Sequence, residues 1–393
     1  MSSLIKKKMK KKIKILRIIS SLNPKYGGPS KTIIDSSLSL IKEGFKVDIL
    51  TNDLKKSNFF KSRYINIINK GPALGNYRFN LRLFFWLLKN RNSYDMFIVH
   101  GIWEFNTLIC RILLKNYYVF THGQLDPFFE TQTLKKIKKQ IYWKLFEKKN
   151  LLQSKSLLLT SENEKKLLDK TYVNTKKIRK SIIKYGIKKV NFNKTKCLKI
   201  FYKKFPYLKN KKFFLFLGRF HEKKGCEILI KSVKKMVNNN IDIYVLMAGP
   251  QNNYKEKLKI LSSGSKLNNH VFWSDMILDQ LKWGAISASE AMVLSSHGEN
   301  FGVSIVESLS CSKPVLTTNK VNIYREVLNS NAGLISKNKV NSFFSILKKF
   351  KNFDKKEIKK MNKNSYECFK SNFDLSSSQN SLGKFLIKDH YNI

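Results

Sequence analysis

The chain has 393 residues, of which 42% are hydrophobic and 12% aromatic, so it is long enough for two compact domains and too apolar for extensive disorder. Its formal net charge of +49 indicates an anionic partner, but only nine of its 76 basic residues are arginines. Because AT-rich codons encode Lys, Asn and Ile, the lysine excess favours a genome bias over specific nucleic-acid binding, which relies on bidentate arginine.

The basic N-terminus is followed by a short apolar run, residues 13–19, which Lys14 and Arg17 interrupt. This pattern predicts a first strand rather than a signal peptide. Further apolar runs alternate with helical segments, which is typical of a parallel sheet with crossover helices. No stretch reaches the roughly 18 uninterrupted apolar residues of a membrane-spanning helix. The predicted strands of the first half are residues 13–19, 46–50, 96–99, 117–121 and 156–160.

A second series of apolar runs follows a basic stretch, residues 188–212, with weak periodicity. We therefore predict an N-terminal domain over residues 1–190, a C-terminal domain over residues 191–375, and a C-terminal helix in residues 376–393 whose docking site stays open. Two doubly wound halves that face each other would place their ligand loops along a shared cleft. The predicted strands of the second half are residues 213–217, 243–247, 291–294, 314–318 and 333–335.

Residues 133–153 combine many lysines with apolar residues at near-helical spacing, which predicts a basic amphipathic helix. The apolar stripe consists of Ile137, Ile141 and Leu145, with Leu134 and Trp143 offset. Two interpretations stay open. The one we favour packs this stripe on the first domain, and the other docks it on an anionic bilayer.

Three loops of the first half are candidate ligand loops because each follows a predicted strand. Gly28 lies where a helix begins, so nearby backbone N–H groups are positioned to bind an anion, although a tight turn explains the loop equally well. His100 and His122 each end a strand and precede a glycine. The carboxyl ends of parallel strands line the ligand crevice, which favours a site role for both. Their spacing is not that of metal ligands, so we predict no metal site.

The second half begins with an apolar strand that leads into Arg219 and, five residues later, Lys224. A guanidinium and an ammonium on one loop are suited to binding a diphosphate. Since the chain shows no D-x-D carboxylate pair for a metal, these cations would neutralise the phosphate charge themselves. A lysine-rich turn is the alternative for Lys224, but not for the rare Arg219.

Residues 296–309 give the most specific pattern, a strand end followed by a glycine turn and a helix. Backbone N–H groups at Gly302 and Val303 would bind a phosphate, and Glu307 could accept hydrogen bonds from ribose hydroxyls. Glu299 lies before the helix, where a carboxylate can bind sugar hydroxyls or stabilise positive charge at an anomeric carbon. The alternative is that Glu299 and Glu307 are solvated side chains around a helix cap. This alternative is reasonable for either glutamate alone, but much less so for the whole arrangement.

The chain resembles the retaining GT-B glycosyltransferases of family 4, and the similarity covers nearly the whole chain in the expected order. The glutamate pair with its Asn-Phe-Gly core is the most specific element. The segments that carry the resemblance are residues 27–29, 100–103, 121–127, 218–225, 299–307 and 313–318.

The resemblance implies an α/β fold of the GT-B kind, with two facing Rossmann-like doubly wound domains and an interlobe cleft. Its donor-binding residues would be Gly28, Arg219, Lys224, Phe301, Gly302, Val303 and Glu307. Its catalytic residues would be Glu299 and His122, the latter beside the transferred sugar. Acceptor-side positions would be His100, Trp103 and Asp126.

The resemblance further implies transfer of a sugar from a nucleoside diphosphate sugar to an acceptor hydroxyl with retention, in surface polysaccharide or glycolipid synthesis. We expect no cofactor and no metal, a saccharide or lipid-linked acceptor, and no specific nucleic acid. The five separated cysteines are typical of a cytoplasmic protein, and the basic helix would add contact with an anionic membrane surface. The alternative is a catalytically inactive protein of this fold that binds polyanions or a membrane surface.

Overall fold

The computed structural model describes residues 12–26, 28–125, 133–171, 175–183, 186–264, 266–375 and 382–391, with the backbone alone at 133–136 and 169–171. The chain divides into two compact units. The first unit is Met1–Tyr185 with Gln379–Ile393, and the second unit is Gly186–Ser378. Among the described residues, no helix is both long and apolar enough to cross a bilayer.

The first unit contains a parallel sheet of seven strands in the order β3-β2-β1-β4-β5-β6-β7. The three central strands are buried along almost their whole length because helices cover both faces of such a sheet. The strands are β1 Lys14–Ile19, β2 Lys46–Thr51, β3 Asn66–Asn69, β4 Met96–His100, β5 Tyr117–Phe120, β6 Ser156–Leu159 and β7 Lys180–Ile182.

The crossover helices of this unit bury apolar residues against the sheet, so Leu83, Leu87, Ile109 and Leu151 share one core with the strands. A π-helical turn, Trp143–Glu147, joins α4 to α5. The helices are α1 Gly28–Lys42, α2 Leu81–Asn90, α3 Phe105–Leu113, α4 Thr133–Tyr142, α5 Lys148–Leu152 and α6 Glu162–Thr171.

The second unit contains a parallel sheet of six strands in the order β10-β9-β8-β11-β12-β13. The strands are β8 Phe213–Leu217, β9 Tyr244–Ala248, β10 Val271–Ser274, β11 Ala291–Leu294, β12 Val315–Thr318 and β13 Gly333–Ser336. The helices are α7 Lys194–Lys204, α8 Cys226–Asn238, α9 Asn253–Leu261, α10 Asp279–Ala288, α11 Val303–Ser310, α12 Tyr324–Asn329, α13 Val340–Lys351 and α14 Lys355–Asn372.

The last helix, α15 Leu382–Tyr391, packs on the first unit. Its Asp389 Oδ1 lies 2.6 Å from Nη1 of Arg179, and its Oδ2 accepts a hydrogen bond from the hydroxyl of Tyr118. Burial raises the pKa of Asp389, but Tyr118 and Arg179 hold it below its usual value. The sequence left the docking site of this helix open. The structure places the helix on the first unit, where Asp389 contacts Tyr118 of β5 and Arg179.

Every strand that the apolar runs predict is present, within a residue or two at its ends. The runs missed β3, β7 and β10, which lie at sheet edges. β3 and β7 are partly exposed and lack the continuous apolar run that marks a buried parallel strand, while β10 contains a run of only three apolar residues, 271–273.

The preferred interpretation of residues 133–153 is wrong in one respect, because the stripe does not pack on the first unit. Trp143 is buried, whereas Ile137, Ile141 and Leu145 are 52%, 53% and 55% exposed. The packed face instead follows the spacing of Trp143, Glu147 and Leu151, so the stripe lies away from it.

Candidate functional site

Two loops of the second unit are joined by hydrogen bonds at the carboxyl end of its sheet. The first loop, residues 218–225, follows β8, and the second follows β11. The hydroxyl of Ser295 donates to the carbonyl of Gly225 at 2.7 Å, and the hydroxyl of Ser296 donates to the carbonyl of Lys223 at 2.8 Å. The loops that follow the buried strands β8 and β11 therefore lie next to each other.

Gly225 permits this close approach. Its φ is +60°, and a Cβ atom there would lie 2.1 Å from the carbonyl oxygen of Ser295. Any other residue would have to separate the two loops.

Lys224 and Glu299 form an ion pair between these loops, with Nζ of Lys224 on Oε2 of Glu299. The backbone of Glu299 is fixed on both sides, since its N–H donates to Lys320 at 3.1 Å and its carbonyl accepts from Asn322 at 2.8 Å. The carboxylate thus has a fixed position next to a cation.

The charge around Glu299 is strongly positive. Burial raises the pKa of Glu299, but the ammonium of Lys224 and the charges of Lys223 and Arg219 more than offset this and hold the pKa below its usual value. Arg219 is exposed at the start of the same loop. The arrangement provides two cations for an anionic ligand and an ionised carboxylate beside them.

Gly302 and Val303 lie where α11 begins, and Gly302 has a φ of +69°. The free N–H groups of a helix start and its dipole favour an anion there. Phe301 is buried, and its ring meets that of Phe373 edge to face at a centroid distance of 5.8 Å. Phe301 therefore holds the glycine turn on the core of the unit.

Glu307 lies inside α11 and is paired with a residue that the sequence did not single out. Lys282 Nζ, on α10, lies 2.7 Å from Oε1 of Glu307. One lysine among so many carries no signal in the sequence, so this pairing emerges only from the fold.

In the first unit the structure brings His100 and His122 together. His100 Nδ1 lies 3.0 Å from Nε2 of His122, and Nε of Arg17 donates to Nε2 of His100 at 3.1 Å. Burial is the main cause that lowers the pKa of both histidines, to about 3 for His122. Both rings are therefore neutral at pH 7.

The loop around His122 is held by a carboxylate that the sequence did not indicate. Glu164 Oε1 accepts from the hydroxyl of Thr121 at 2.7 Å and from the N–H of Gly123 at 3.1 Å. His122 itself has a φ of +49°, in the left-handed region. Residues other than glycine rarely adopt this backbone conformation, so it is locally strained. The hydrogen bonds of Glu164 to Thr121 and Gly123 help to hold it.

Trp103, an expected acceptor-side residue, also has a positive φ, of +68°. Its indole N–H donates to the carbonyl of Gln124 at 3.2 Å, and its backbone N–H donates to Glu147 at 3.3 Å. Burial raises the pKa of Glu147 to about 7. Sequence reasoning missed Glu147, because it lies in a lysine-rich helix where a carboxylate usually faces solvent.

The remaining expected residues are placed as follows. Gly28 is the first residue of α1, and its carbonyl accepts from the hydroxyl of Thr32 at 3.0 Å. Asp126 lies outside the described residues, as does Gly27 of the same glycine pair. Within the described ranges, no group of three or more His, Cys, Asp or Glu side chains is arranged to hold a metal ion.

Residues 200–367 match the family model described as glycosyl transferases group 1. A curated relative, the D-inositol 3-phosphate glycosyltransferase of Arthrobacter sp. (strain FB24), is 26% identical over 124 residues. This match spans 31% of the chain and 30% of the relative.

Solved structures match over nearly the whole chain. Sucrose-phosphate synthase from Thermosynechococcus elongatus has a TM-score of 0.73 at 16% identity and covers 93% of this chain and 96% of its own. Anabaena HepE, in complex with UDP and glucose, has a TM-score of 0.74 at 14% identity, over 97% and 100%. WaaG, involved in lipopolysaccharide biosynthesis, has a TM-score of 0.69 at 15% identity, over 95% and 98%. Together these likenesses confirm the α/β fold of two Rossmann-like domains.

Proposed function

We propose that this chain moves a sugar from a nucleoside diphosphate sugar to an acceptor hydroxyl with retention, as in family 4, because its residues 200–367 match the model of glycosyl transferases group 1. The observation that carries the proposal is the ion pair of Lys224 and Glu299 between two loops that hydrogen bonds hold together. It places a phosphate-binding cation and a sugar-binding carboxylate side by side.

The donor diphosphate binds Arg219 and Lys224, which neutralise its charge as the bond to the sugar breaks. The N–H groups at the start of α11, near Gly302 and Val303, bind a phosphate oxygen. Glu307 accepts hydrogen bonds from the ribose hydroxyls. These cations supply the positive charge that a metal supplies elsewhere, so no cofactor is needed.

Glu299 binds hydroxyls of the donor sugar and stabilises the positive charge that develops at its anomeric carbon. When the diphosphate engages Lys224, the carboxylate becomes available to the sugar. The acceptor attacks from the face of the leaving group, and a phosphate oxygen of the donor takes its proton. This leaves Glu299 as an electrostatic stabiliser, without a covalent intermediate.

The acceptor in this proposal is a saccharide or a lipid-linked saccharide, used in surface polysaccharide or glycolipid synthesis at the cytoplasmic face of a membrane. Support comes from α4 and the π-helical turn, where Ile137, Ile141 and Leu145 are exposed and Lys138 and Lys144 lie beside them. Apolar side chains among lysines suit an anionic lipid surface.

The test is a transfer assay with UDP, GDP, CDP and ADP sugars and a panel of saccharide and polyprenyl-linked acceptors, with Glu299→Gln as control. We expect nucleoside diphosphate release with one donor, a product of unchanged anomeric configuration by NMR, and at least a tenfold lower kcat in the variant. Failure to bind any nucleotide, with tight and salt-sensitive polyanion binding, would instead identify an inactive protein that binds polyanions.

A further inference from the structure

A pocket of about 870 Å³ lies in the first unit at the amino edge of its sheet, where β1, β2 and β3 begin. The ligand loops of a parallel sheet follow the carboxyl ends of its strands, so this pocket lies at the opposite edge from His100, which ends β4. The proposed function therefore does not use it. Five cations line the pocket, and they are Lys12, Lys14, Lys46, Lys61 and Arg63.

The fold concentrates these positive charges. Lys14 and Lys46 are register partners on the parallel strands β1 and β2, which lie about 4.8 Å apart, so their charges repel each other. Asp48 is the one carboxylate among the described residues that line the pocket. It is already engaged, because Oδ2 lies 3.5 Å from Nζ of Lys14 and accepts from the hydroxyl of Tyr94 at 2.7 Å. The lining thus has an excess of four positive charges, which an anion would neutralise.

The same pocket has an apolar floor. Phe45, Val47 and Ile65 line it and are buried, whereas Phe60 and Tyr64 line it and are exposed. The guanidinium of Arg63 lies 4.7 Å from the centre of the Tyr64 ring. Positive charge next to apolar and aromatic surface suits an anion that carries an apolar group better than it suits a bare inorganic anion.

The loop between β2 and β3, residues 54–64, continues this pattern outside the pocket. Leu54, Phe59, Phe60 and Tyr64 are 56%, 42%, 37% and 57% exposed, and the loop contains four cations and no acidic residue. Apolar side chains clustered among cations are typical of a surface that contacts an anionic bilayer. Leu54 and Phe59 do not line the pocket, so a soluble ligand would leave them in water, whereas a bilayer would cover them.

We propose that this pocket binds the phosphate head group of an anionic membrane lipid, while the loop of residues 54–64 places its exposed apolar side chains among the acyl chains. Lys46, Lys61 and Arg63 contact the phosphate, and Phe60 and Tyr64 cover the start of the acyl chains. The inference does not depend on sugar transfer. It also concerns a different segment from the α4 stripe, which follows β5.

The direct test is a calorimetric titration of the full chain with dihexanoylphosphatidic acid below its micelle concentration. Arg219→Ala is the background, so that the proposed diphosphate site does not contribute. We expect saturable binding, and none of dihexanoylphosphatidylcholine. Lys46→Gln combined with Lys61→Gln should weaken binding at least tenfold, since each lysine near lipid phosphate contributes about fivefold. Lys55→Gln combined with Lys56→Gln makes the same charge change outside the pocket and should change affinity less than twofold.

Two results of this titration would overturn the proposal. Equal losses in the two double variants would show unspecific attraction between the basic chain and an anion. Inorganic phosphate that binds as tightly as dihexanoylphosphatidic acid would show a site for free phosphate, with no use of the apolar floor.

Vesicle flotation tests the part played by the bilayer. The protein should float with vesicles that contain phosphatidic acid, and Phe60→Ser should weaken this binding about tenfold. Phe85→Ser removes another exposed aromatic side chain of the same unit and is the matched control, with a change below twofold. Equal effects of both substitutions would contradict the role of the loop. A protein that transfers no sugar but binds this lipid would refute the proposed function alone, and one that transfers sugar without binding the lipid would refute this inference alone.

Discussion

Lys282 and Glu307 form a largely buried ion pair on two neighbouring helices of the second unit, with 2.7 Å between Nζ and Oε1. Their side chains are 17% and 5% exposed. Breaking such a pair by removing one partner leaves a buried charge, which costs far more than breaking a surface pair. Lys282 thereby holds the carboxylate of Glu307 at the position that we propose binds the ribose.

We predict that Lys282→Met raises the donor KM about five- to tenfold with little change in kcat, since it releases Glu307, which we propose binds the ribose equally before and during reaction. It should also lower the free energy of unfolding by about 3 kcal/mol. The control is Lys259→Met, which removes an exposed pair with Glu256 and should cost less than about 1 kcal/mol. Steady-state kinetics and urea unfolding measure both. An unchanged KM would contradict the ribose role of Glu307.

The pair of Lys224 and Glu299 predicts a change in pH dependence. The folded-state pKa of Glu299 lies below its usual value, so its ionised form stabilises the fold above pH ~4.5 and loses this contribution as the pH falls through the folded pKa. In Lys224→Met the effect of burial remains and the largest opposing charge is gone. The acid limb of kcat/KM should therefore move to higher pH, and Lys223→Met should move it less. If the acid limb of kcat/KM lies at the same pH in the wild-type protein and in both variants, Lys224 does not control the pKa of Glu299.

Glu147 should make the protein less stable as the pH rises. Burial raises its pKa to about 7, so the folded state binds a proton that the unfolded state releases near pH 4.5. Between pH 5 and 8 this group should remove about 2 kcal/mol of stability. Glu147→Gln keeps an oxygen for the N–H of Trp103 and should remove that part of the pH dependence. Urea unfolding at pH 5 and pH 8 tests this. If the free energy of unfolding falls by the same amount between these pH values in the wild-type protein and in Glu147→Gln, the prediction is wrong.

The exposed stripe on α4 predicts binding to anionic vesicles. Flotation with phosphatidylglycerol vesicles should recover the protein, whereas phosphatidylcholine vesicles should not. Ile141→Ser should weaken binding about tenfold, because burial of one isoleucine contributes roughly 1.5 kcal/mol or more. The matched control is Ile260→Ser, an apolar side chain that is 73% exposed in the second unit. Binding that depends neither on lipid charge nor on Ile141 would remove the membrane part of the proposal.

The sequence predicted the fold well because parallel strands buried on both faces read as apolar runs. It also predicted that Arg219, Lys224 and Glu299 lie near one another, because loops after neighbouring parallel strands end at the same edge of a sheet. His100 and His122 lie together for the same reason, since they end or follow the neighbouring strands β4 and β5.

The partners of these residues could not be predicted, since each pairing joins segments that are far apart in the chain. Lys282 is one lysine among many, and Glu164 reaches its loop from a helix about forty residues away. Arg17 did leave a signal, as a rare arginine inside an apolar strand, which the sequence interpretation treated only as an interruption. A charged residue in a strand that is otherwise fully buried indicates a polar partner in the core.

The diphosphate site at Arg219 and Lys224 can be tested by a thermal-shift titration of the full chain with UDP, GDP, CDP and ADP and their sugar conjugates. If Arg219 and Lys224 bind the donor diphosphate, one nucleotide should stabilise the wild-type protein, by about 2.7 kcal/mol at 100 times Kd. Arg219→Ala should abolish this stabilisation, whereas Arg325→Ala, which removes another exposed arginine of the same unit, should retain it. Stabilisation by none of the nucleotides, or an equal shift in Arg219→Ala, would contradict the diphosphate site.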